Sequence, residues 1–435
     1  MLAEPPTSAQ ATRPPRVRAL LRGNVLWLSV VSLLNDAASE MIYPLLPAFV
    51  LQVLGAGPAF LGLIEGVADA TSSLVKLAGG WLSDRLHRRK LLAVWGYGIA
   101  AGLRPFIALA TQGWHVLAIR FADRVGKGVR TAPRDALLAE SVAPGVRGTA
   151  FGIHRSADHA GAVIGPLLAT SLLLLPGARL RLVFALAAIP GLIGVLVLVA
   201  RVREDAGHAD RSGNAGGSGP AAGSEGAALA GALARAGREG TLRRLGGPFR
   251  RLMVVLVVFT LGNASDAFLL LRAQQLGVAL ALIPILWAVF HVSKMSWSVP
   301  GGMLADRVGP RRAIAAGWVV YALAYAGFAA ARTEWQIWAL FLFYGLFYGL
   351  TESPEKALVA RLAPAGERGL AFGAYHSAIG IAALPASLLF GELWQHYSPR
   401  TAFLTGAGLA LAAAVLLPVL AGRDTVPPEP DGGKA

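Results

Sequence analysis

Charged side chains interrupt the apolar runs of this 435-residue chain at helical intervals. Asp36, Ser39, Glu40 and Tyr43 lie three or four residues apart, as do Glu65, Asp69, Ser72 and Lys76, so each set shares one helix face. Arg120, Asp123, Arg124 and Lys127 form a third set, and His154, Arg155, Asp158 and His159 a fourth. A charge inside an apolar run is costly, and is kept where it binds substrate, relays a proton or meets a partner. A carboxylate held in low dielectric can load and release a proton near neutral pH. Counting ~1.5 Å per residue from the run ends puts Asp36, Glu40, Asp69, Arg124 and Asp158 within roughly a third of the bilayer of its midplane. Glu40 is the leading candidate for proton coupling, with Asp36 and Asp69 next. Substrate contact falls to Arg124, Arg155, Asp158, Lys76 and Glu65, and in the C-terminal half to Asn263, Asp266 and Lys294. That half is poorer in charge, with His291, Glu352, Glu355, Lys356 and His376 besides, so coupling is placed mainly in the first. Each carboxylate has a rival reading as one side of a static ion pair, such as Asp69 with Arg124 or Asp123 with Arg120.

Other chemistries find little support. The chain has no cysteine, which removes disulfides, thiolate nucleophiles and Cys-based metal sites. Gly126-Lys127-Gly128 lacks the upstream glycine and the following Ser or Thr of a phosphate loop, which argues against an ATP-driven pump. His291 and Met295 share a helix face, but no second His/Met pair faces them, so no metal site is expected. His154 with Asp158 is too little for a hydrolase. No cofactor is expected and the chain reads as a non-enzyme. A non-transporting receptor would not need so many carboxylates at membrane depth.

The elements that position these groups follow from composition. The chain is 55% hydrophobic with mean hydropathy +0.55 and 15% charged residues. A soluble domain carries about 25% charged residues. The net charge of +15 is read as cytosolic loops of a membrane protein rather than a nucleic-acid surface, because the basic residues cluster between apolar spans. Twelve spans are predicted, at 25–53, 58–82, 90–110, 114–138, 149–175, 182–201, 251–272, 278–303, 312–331, 335–358, 369–392 and 401–421. The first is a membrane helix and not a cleaved signal, because it is too long and carries carboxylates. Arginines gather at one side, at the N-terminus, Arg85 to Lys90, Arg201 to Arg203 and Arg307 to Arg312, which places both termini in the cytosol. The expected organisation is a cytosolic segment 1–23, a six-helix half 24–202, a linker 203–249, a second half 250–422 and a cytosolic tail 423–435. Within the linker, Ala227 to Leu245 reads either as a basic amphipathic helix on the inner leaflet or as a disordered tether. Heavy use of Arg over Lys, with abundant Ala and Gly, points to a bacterial gene and so to the inner membrane.

The chain repeats itself. Gly79-Gly-Trp-Leu-Ser-Asp-Arg-Leu-His-Arg-Arg-Lys90 returns as Gly301-Gly-Met-Leu-Ala-Asp-Arg-Val-Gly-Pro-Arg-Arg312, an offset of 222. Arg147 to Gly152 returns at Arg368 to Gly373, and Pro133 to Leu137 faces Pro354 to Leu358, both at 221. Three matched blocks in order mean a duplicated unit, its copies related by a two-fold axis along the membrane normal.

From about Asn24 to Gly422 the chain resembles the major facilitator superfamily. Its loop between spans 2 and 3 is matched by Gly80, Asp84, Arg85, Arg89 and Lys90, with His87 in place of a glycine. In the second half Gly302, Asp306, Arg307, Gly309, Arg311 and Arg312 match. The resemblance implies that these groups act as a conformational latch; acids and arginines beside helix ends form pairs that must break when the halves rock. Arg120, with Gly126 and Gly128 displaced, loosely matches the arginine motif of span 4 and is grouped with the latch. Gly152, Gly161, Gly165 and Pro166 in span 5 are similar to the pattern of proton-coupled drug antiporters, with Ala169 replacing a glycine; close helix packing is the alternative. The resemblance implies an all-α membrane protein of two six-helix halves. Its function would be secondary transport by alternating access, as proton-coupled efflux of a small organic compound. Uptake of an organic anion or chelated metal is the alternative that Lys76, Arg124 and Arg155 favour. Expected partners are the substrate, protons and the bilayer, with no nucleic acid, and the protein is expected to be a monomer.

Overall fold

Prolines and glycines set where the helices bend and stop. The computed structural model describes residues 22–86, 88–142, 147–177, 179–204, 245–363 and 368–420, and among them all regular structure is helical. Helix α1 (Gly23–Ile42) continues through a 3₁₀ turn at Tyr43–Leu45 and a π turn at Phe49–Val53, because Pro44 and Pro47 lack the N–H that a regular ladder needs. Gly55, at φ +67°, turns the chain, and Pro58 opens α2 (Pro58–Leu86). Then come α3 (Arg89–Leu103, extended by a 3₁₀ turn to Leu109), α4 (Gly113–Glu140), α5 (Arg147–Leu173) and α6 (Leu180–Arg201).

Helix α7 (Gly246–Gln275) breaks at Asn263–Asp266. The break frees backbone groups, and side chains take them up: Tyr321 Oη donates to the Gly262 carbonyl (2.9 Å), and Ser265 Oγ accepts the Ala267 N–H (3.3 Å). Helices α8 (Ile283–Val308) and α9 (Pro310–Ala330) meet at Gly309, whose φ is +90°. A capping box of Thr333 and Gln336 starts α10 (Glu334–Leu362), and α11 (Arg368–His396) and α12 (Pro399–Leu420) complete the described chain.

Eight of the helices are long and apolar enough to cross a membrane by length and composition. Helices α2, α4, α5 and α10 are as long, but three of them carry the charged faces that lower their hydropathy. Apolar side chains such as Leu196 (67% exposed) and Val415 (66%) cover the outside, as hydrocarbon surroundings require. Leu245 and Phe249 are buried, and α7 begins at Gly246. Residues 227–244 of the amphipathic segment lie outside the described residues.

Helices α1 to α6 pack among themselves, as do α7 to α12, and the groups join through α2 with α11 and α5 with α8. Two side-chain contacts across the seam, Tyr43 with Ser265 (3.3 Å) and Gln52 with Gln274 (3.3 Å), link residues 222 apart. That separation equals the offset between the two loop motifs, and both contacts join the start of one group to the start of the other. All hydrogen bonds between the groups among the described residues lie toward the end opposite the termini, including Thr170 to the Ala281 carbonyl (2.9 Å) and the Ala59 N–H to Gln395 (3.2 Å). Toward the termini no hydrogen bond is seen between the groups among the described residues.

Candidate functional site

Two adjoining cavities, of about 190 and 480 Å³, lie between the groups and share Tyr43, Asp69, Arg124, Lys127, Asp266 and Lys294. The smaller ends against the seam. There Glu40 Oε2 accepts a hydrogen bond from Trp287 Nε1 of α8 (2.7 Å). Asp36, one turn earlier on α1, accepts from Asn35 Nδ2 (2.9 Å). Asp69 lines both cavities and makes no ion pair among the described residues.

The buried pairs differ from the rival readings. Arg104 Nε donates to Asp123 (2.8 Å) and its other nitrogen to the carbonyl and side-chain oxygens of Asn35. Arg120 donates to both oxygens of Glu65 (2.7 and 2.8 Å), and Ser265 Oγ of α7 donates to the same carboxylate (3.4 Å). So Asp123 pairs with Arg104 rather than Arg120, and Asp69 stands apart from Arg124. Arg120 is also corrected as a latch residue: it sits in the second turn of α4, while Asp84 and Arg85 end α2 at the far side. Glu65 lines the cavity as a neutralised pair rather than a free substrate contact.

Of the other candidates for substrate contact, Lys76, Arg124, Asn263, Asp266 and Lys294 line the larger cavity. Asp266 accepts hydroxyl bonds from Tyr344 and Tyr348 (3.0 Å each), and Lys294 Nζ lies 3.7 Å from the Tyr348 ring centroid. Asp158 turns instead toward α1, where it accepts from Ser32, with His154 at 3.8 Å and Arg155 at 3.5 Å. The Arg155 side chain is 66% exposed. Asp158 belongs to an α1–α5 contact rather than to the shared cavity, and Arg155 lines neither of the two cavities.

At the loop ends, Arg89 pairs with Glu140, and its N–H donates to Glu204 (2.6 Å). Gly80, Asp84, Arg85 and Gly152 lie in helices, but their surroundings fall outside the described residues, as does the side chain of Asp306. Gly302 lines a separate cavity of about 370 Å³ with Arg361; Arg307 is exposed and Arg311 buried. In α5, a Cβ on Gly161 would collide with Leu33 of α1, and one on Gly165 with Ala37; Pro166 follows inside the helix. The span-5 glycines therefore press α5 onto the helix that carries Asp36 and Glu40.

Sequence reasoning missed Arg104, Trp287, Ser265, Tyr344 and Tyr348. Arg104 was readable as a charge inside an apolar run. The others are ordinary core residue types until the fold sets them against a carboxylate.

A family profile described as Major Facilitator Superfamily matches residues 28–293 and 252–435. An uncharacterised MFS-type transporter of Methanocaldococcus jannaschii is 30% identical over 91% of this chain and 94% of its own length. The multidrug resistance protein MdtH of Klebsiella pneumoniae is 28% identical over 41% of this chain and 44% of its own. Among solved structures, the nucleoside transporter NupG superposes with a TM-score of 0.74 at 13% identity, over 92% of this chain and 99% of that one. A bacterial homologue of the human lysosomal transporter Spinster, in an inward-facing and unoccupied conformation, gives 0.66 at 17% identity, over 94% and 96%. With the profile across its length, a full-length relative at this identity and the matching architecture, the chain belongs to the major facilitator superfamily.

Proposed function

We propose that the protein is a secondary transporter that moves a small polar organic molecule by alternating access, coupled to protons. The observation that carries this reading is Glu40: a carboxylate at the closed end of a central cavity, bonded to Trp287 of the opposite helix group. A group so placed changes both its charge and a contact between the halves when it takes up a proton, which is what coupling requires. Asp36 and Asp69 beside it are the next candidates, and the cavity side chains Arg124, Lys76, Asp266 and Lys294 face the substrate. Export is the proposed direction, supported by the span-5 glycine pattern and the partial likeness to MdtH. The arginine distribution supports an inner-membrane setting with both termini cytosolic, so the end of the seam near the termini faces the cytosol. The repeat and the helix packing support two six-helix halves joined by a cytosolic linker.

The test is Glu40→Gln in proteoliposomes with an imposed pH gradient, using a ligand found by stability-shift screening. The variant is expected to bind substrate and exchange it while losing gradient-driven accumulation. Accumulation that persists in well-folded Glu40→Gln protein passes the role to Asp36 or Asp69.

A further inference from the structure

Three basic side chains gather at membrane depth on two packed helices. Lys76 of α2 and Arg124 and Lys127 of α4 line the larger cavity, and none makes an ion pair among the described residues. The buried Nε of Arg124 has no hydrogen-bond partner.

Packing forces them together. A Cβ at Gly128 would lie 2.6 Å from the Val75 side chain, and one at Gly126 would lie 2.7 Å from the Gly96 carbonyl oxygen. Helix α4 thus closes on α2 beside Lys76 and Lys127, and on α3 one turn away. The glycines of Gly126-Lys127-Gly128, which build no phosphate loop, act here by removing side-chain bulk. Like charges in a low dielectric repel. Of the nearby carboxylates, Glu65 is neutralised by Arg120, while Asp36, Glu40, Asp69 and Asp266 line the same cavities without an ion pair to any of the three among the described residues. Across the cavity, the Tyr348 ring fixes Lys294. Cations that packing holds side by side, none of them in an ion pair, suit a ligand that brings negative charge into contact with them.

We propose that Lys76, Arg124 and Lys127 form a cradle for a carboxylate or phosphate of the transported molecule, whose other end meets Lys294 and Tyr348. The planar guanidinium of Arg124 suits either group through two parallel hydrogen bonds. This assignment rests on the transport reading, but not on its direction or on proton coupling.

Thermal unfolding of the purified full chain with succinate, glycerol 3-phosphate, glycerol and putrescine at equal ionic strength tests it. Saturable stabilisation by an anion is expected, and the two anions tell carboxylate from phosphate. Arg124→Gln and Lys127→Gln are each expected to weaken that anion's binding about tenfold or more, while Lys127→Arg retains it. Because the empty cradle repels itself, Arg124→Gln should also raise the Tm of ligand-free protein, which separates lost affinity from lost folding. The proposal is overturned by stabilisation with glycerol or putrescine alone, by no shift with either anion, or by undiminished anion affinity in the Arg124→Gln/Lys127→Gln double variant. Anion binding without pH-driven transport supports the cradle and counts against proton coupling alone.

Discussion

The two helix groups share a repeat and hold their interiors together by different means. In the first, two ion pairs are sealed from solvent, Arg104 with Asp123 (side chains 5% and 3% exposed) and Arg120 with Glu65 (6% and 2%). In the second, rings stack: Tyr321 on Tyr325 (centroids 4.1 Å apart), Phe259 on Trp318 (4.7 Å) and Phe290 on Tyr344 (5.3 Å). At the 221-residue offset of the neighbouring blocks, Arg120, Asp123 and Lys127 correspond to Phe341, Tyr344 and Tyr348. The duplication kept the helix ends and Gly128, which returns as Gly349, while the interior of α4 and α10 diverged. One group carries buried charges. The other became an aromatic surface, whose hydroxyls hold Asp266.

If that contrast is right, breaking charge in the first group should be the most damaging change. Glu65→Gln leaves Arg120 buried without its counter-charge, an expected loss of about 3–5 kcal/mol. A steep fall in Tm, or no folded protein in detergent, is the predicted result. Glu65→Leu with Arg120→Met removes both charges and should recover folding, because a buried pair stabilises little relative to apolar residues of similar size. Recovered folding without recovered transport would assign the pair a role in the cycle. Equal Tm for Glu65→Gln and wild type would mean that the pair does not hold the first group.

Most of the frame was legible in the sequence, because it depends on local and periodic signals. Apolar run length placed the helices. What escaped depends on distant residues meeting. Nothing near Glu65 says that its partner is 55 residues away on α4, with Ser265 adding a bond from 200 residues away. Asp158 looked like a cavity residue because it shares a face with His154 and Arg155. That periodicity does not say which neighbour the face meets, and the glycines of α5 turn it against Ser32 of α1. Helix α7 read as one span because Asn263 and Ser265 are uncharged, yet its break is what lets Asp266 enter the cavity.

The loop motifs sharpen the comparison at the helix ends, where the copies agree in sequence. Arg89 is engaged within its own group by Glu140, and its counterpart at the 222 offset, Arg311, is buried at the head of α9. If both copies latch the same conformation, the double variant Asp84→Asn/Asp306→Asn should change transport rate by about three- to tenfold. That corresponds to about 0.7–1.4 kcal/mol between two states. Ligand affinity should move less. A rate change from one single variant equal to that of the double would place the latch in one group only; no change in either would leave the acids as topology signals.

The smallest expected effect lies on the seam itself. Tyr43 reaches Ser265 at 3.3 Å, a long neutral hydrogen bond, whereas Trp287 bonds the Glu40 carboxylate at 2.7 Å. A neutral bond contributes about 0.5–1.5 kcal/mol and one to a charged group about 1.5–3 kcal/mol. Loss of the Tyr43 hydroxyl should therefore loosen the closed end less than loss of the indole N–H. Because the chain has no cysteine, Ser39→Cys in the smaller cavity is a clean reporter. With both termini cytosolic, an impermeant thiol reagent added to intact cells reaches Ser39→Cys only when the seam opens. Tyr43→Phe is expected to raise its labelling rate about two- to fivefold, and Trp287→Phe about tenfold or more. Fast labelling whatever residue stands at 43 would mean that the end near the termini faces outward, reversing the proposed orientation. Slow labelling in both variants would show that neither bond keeps the halves closed.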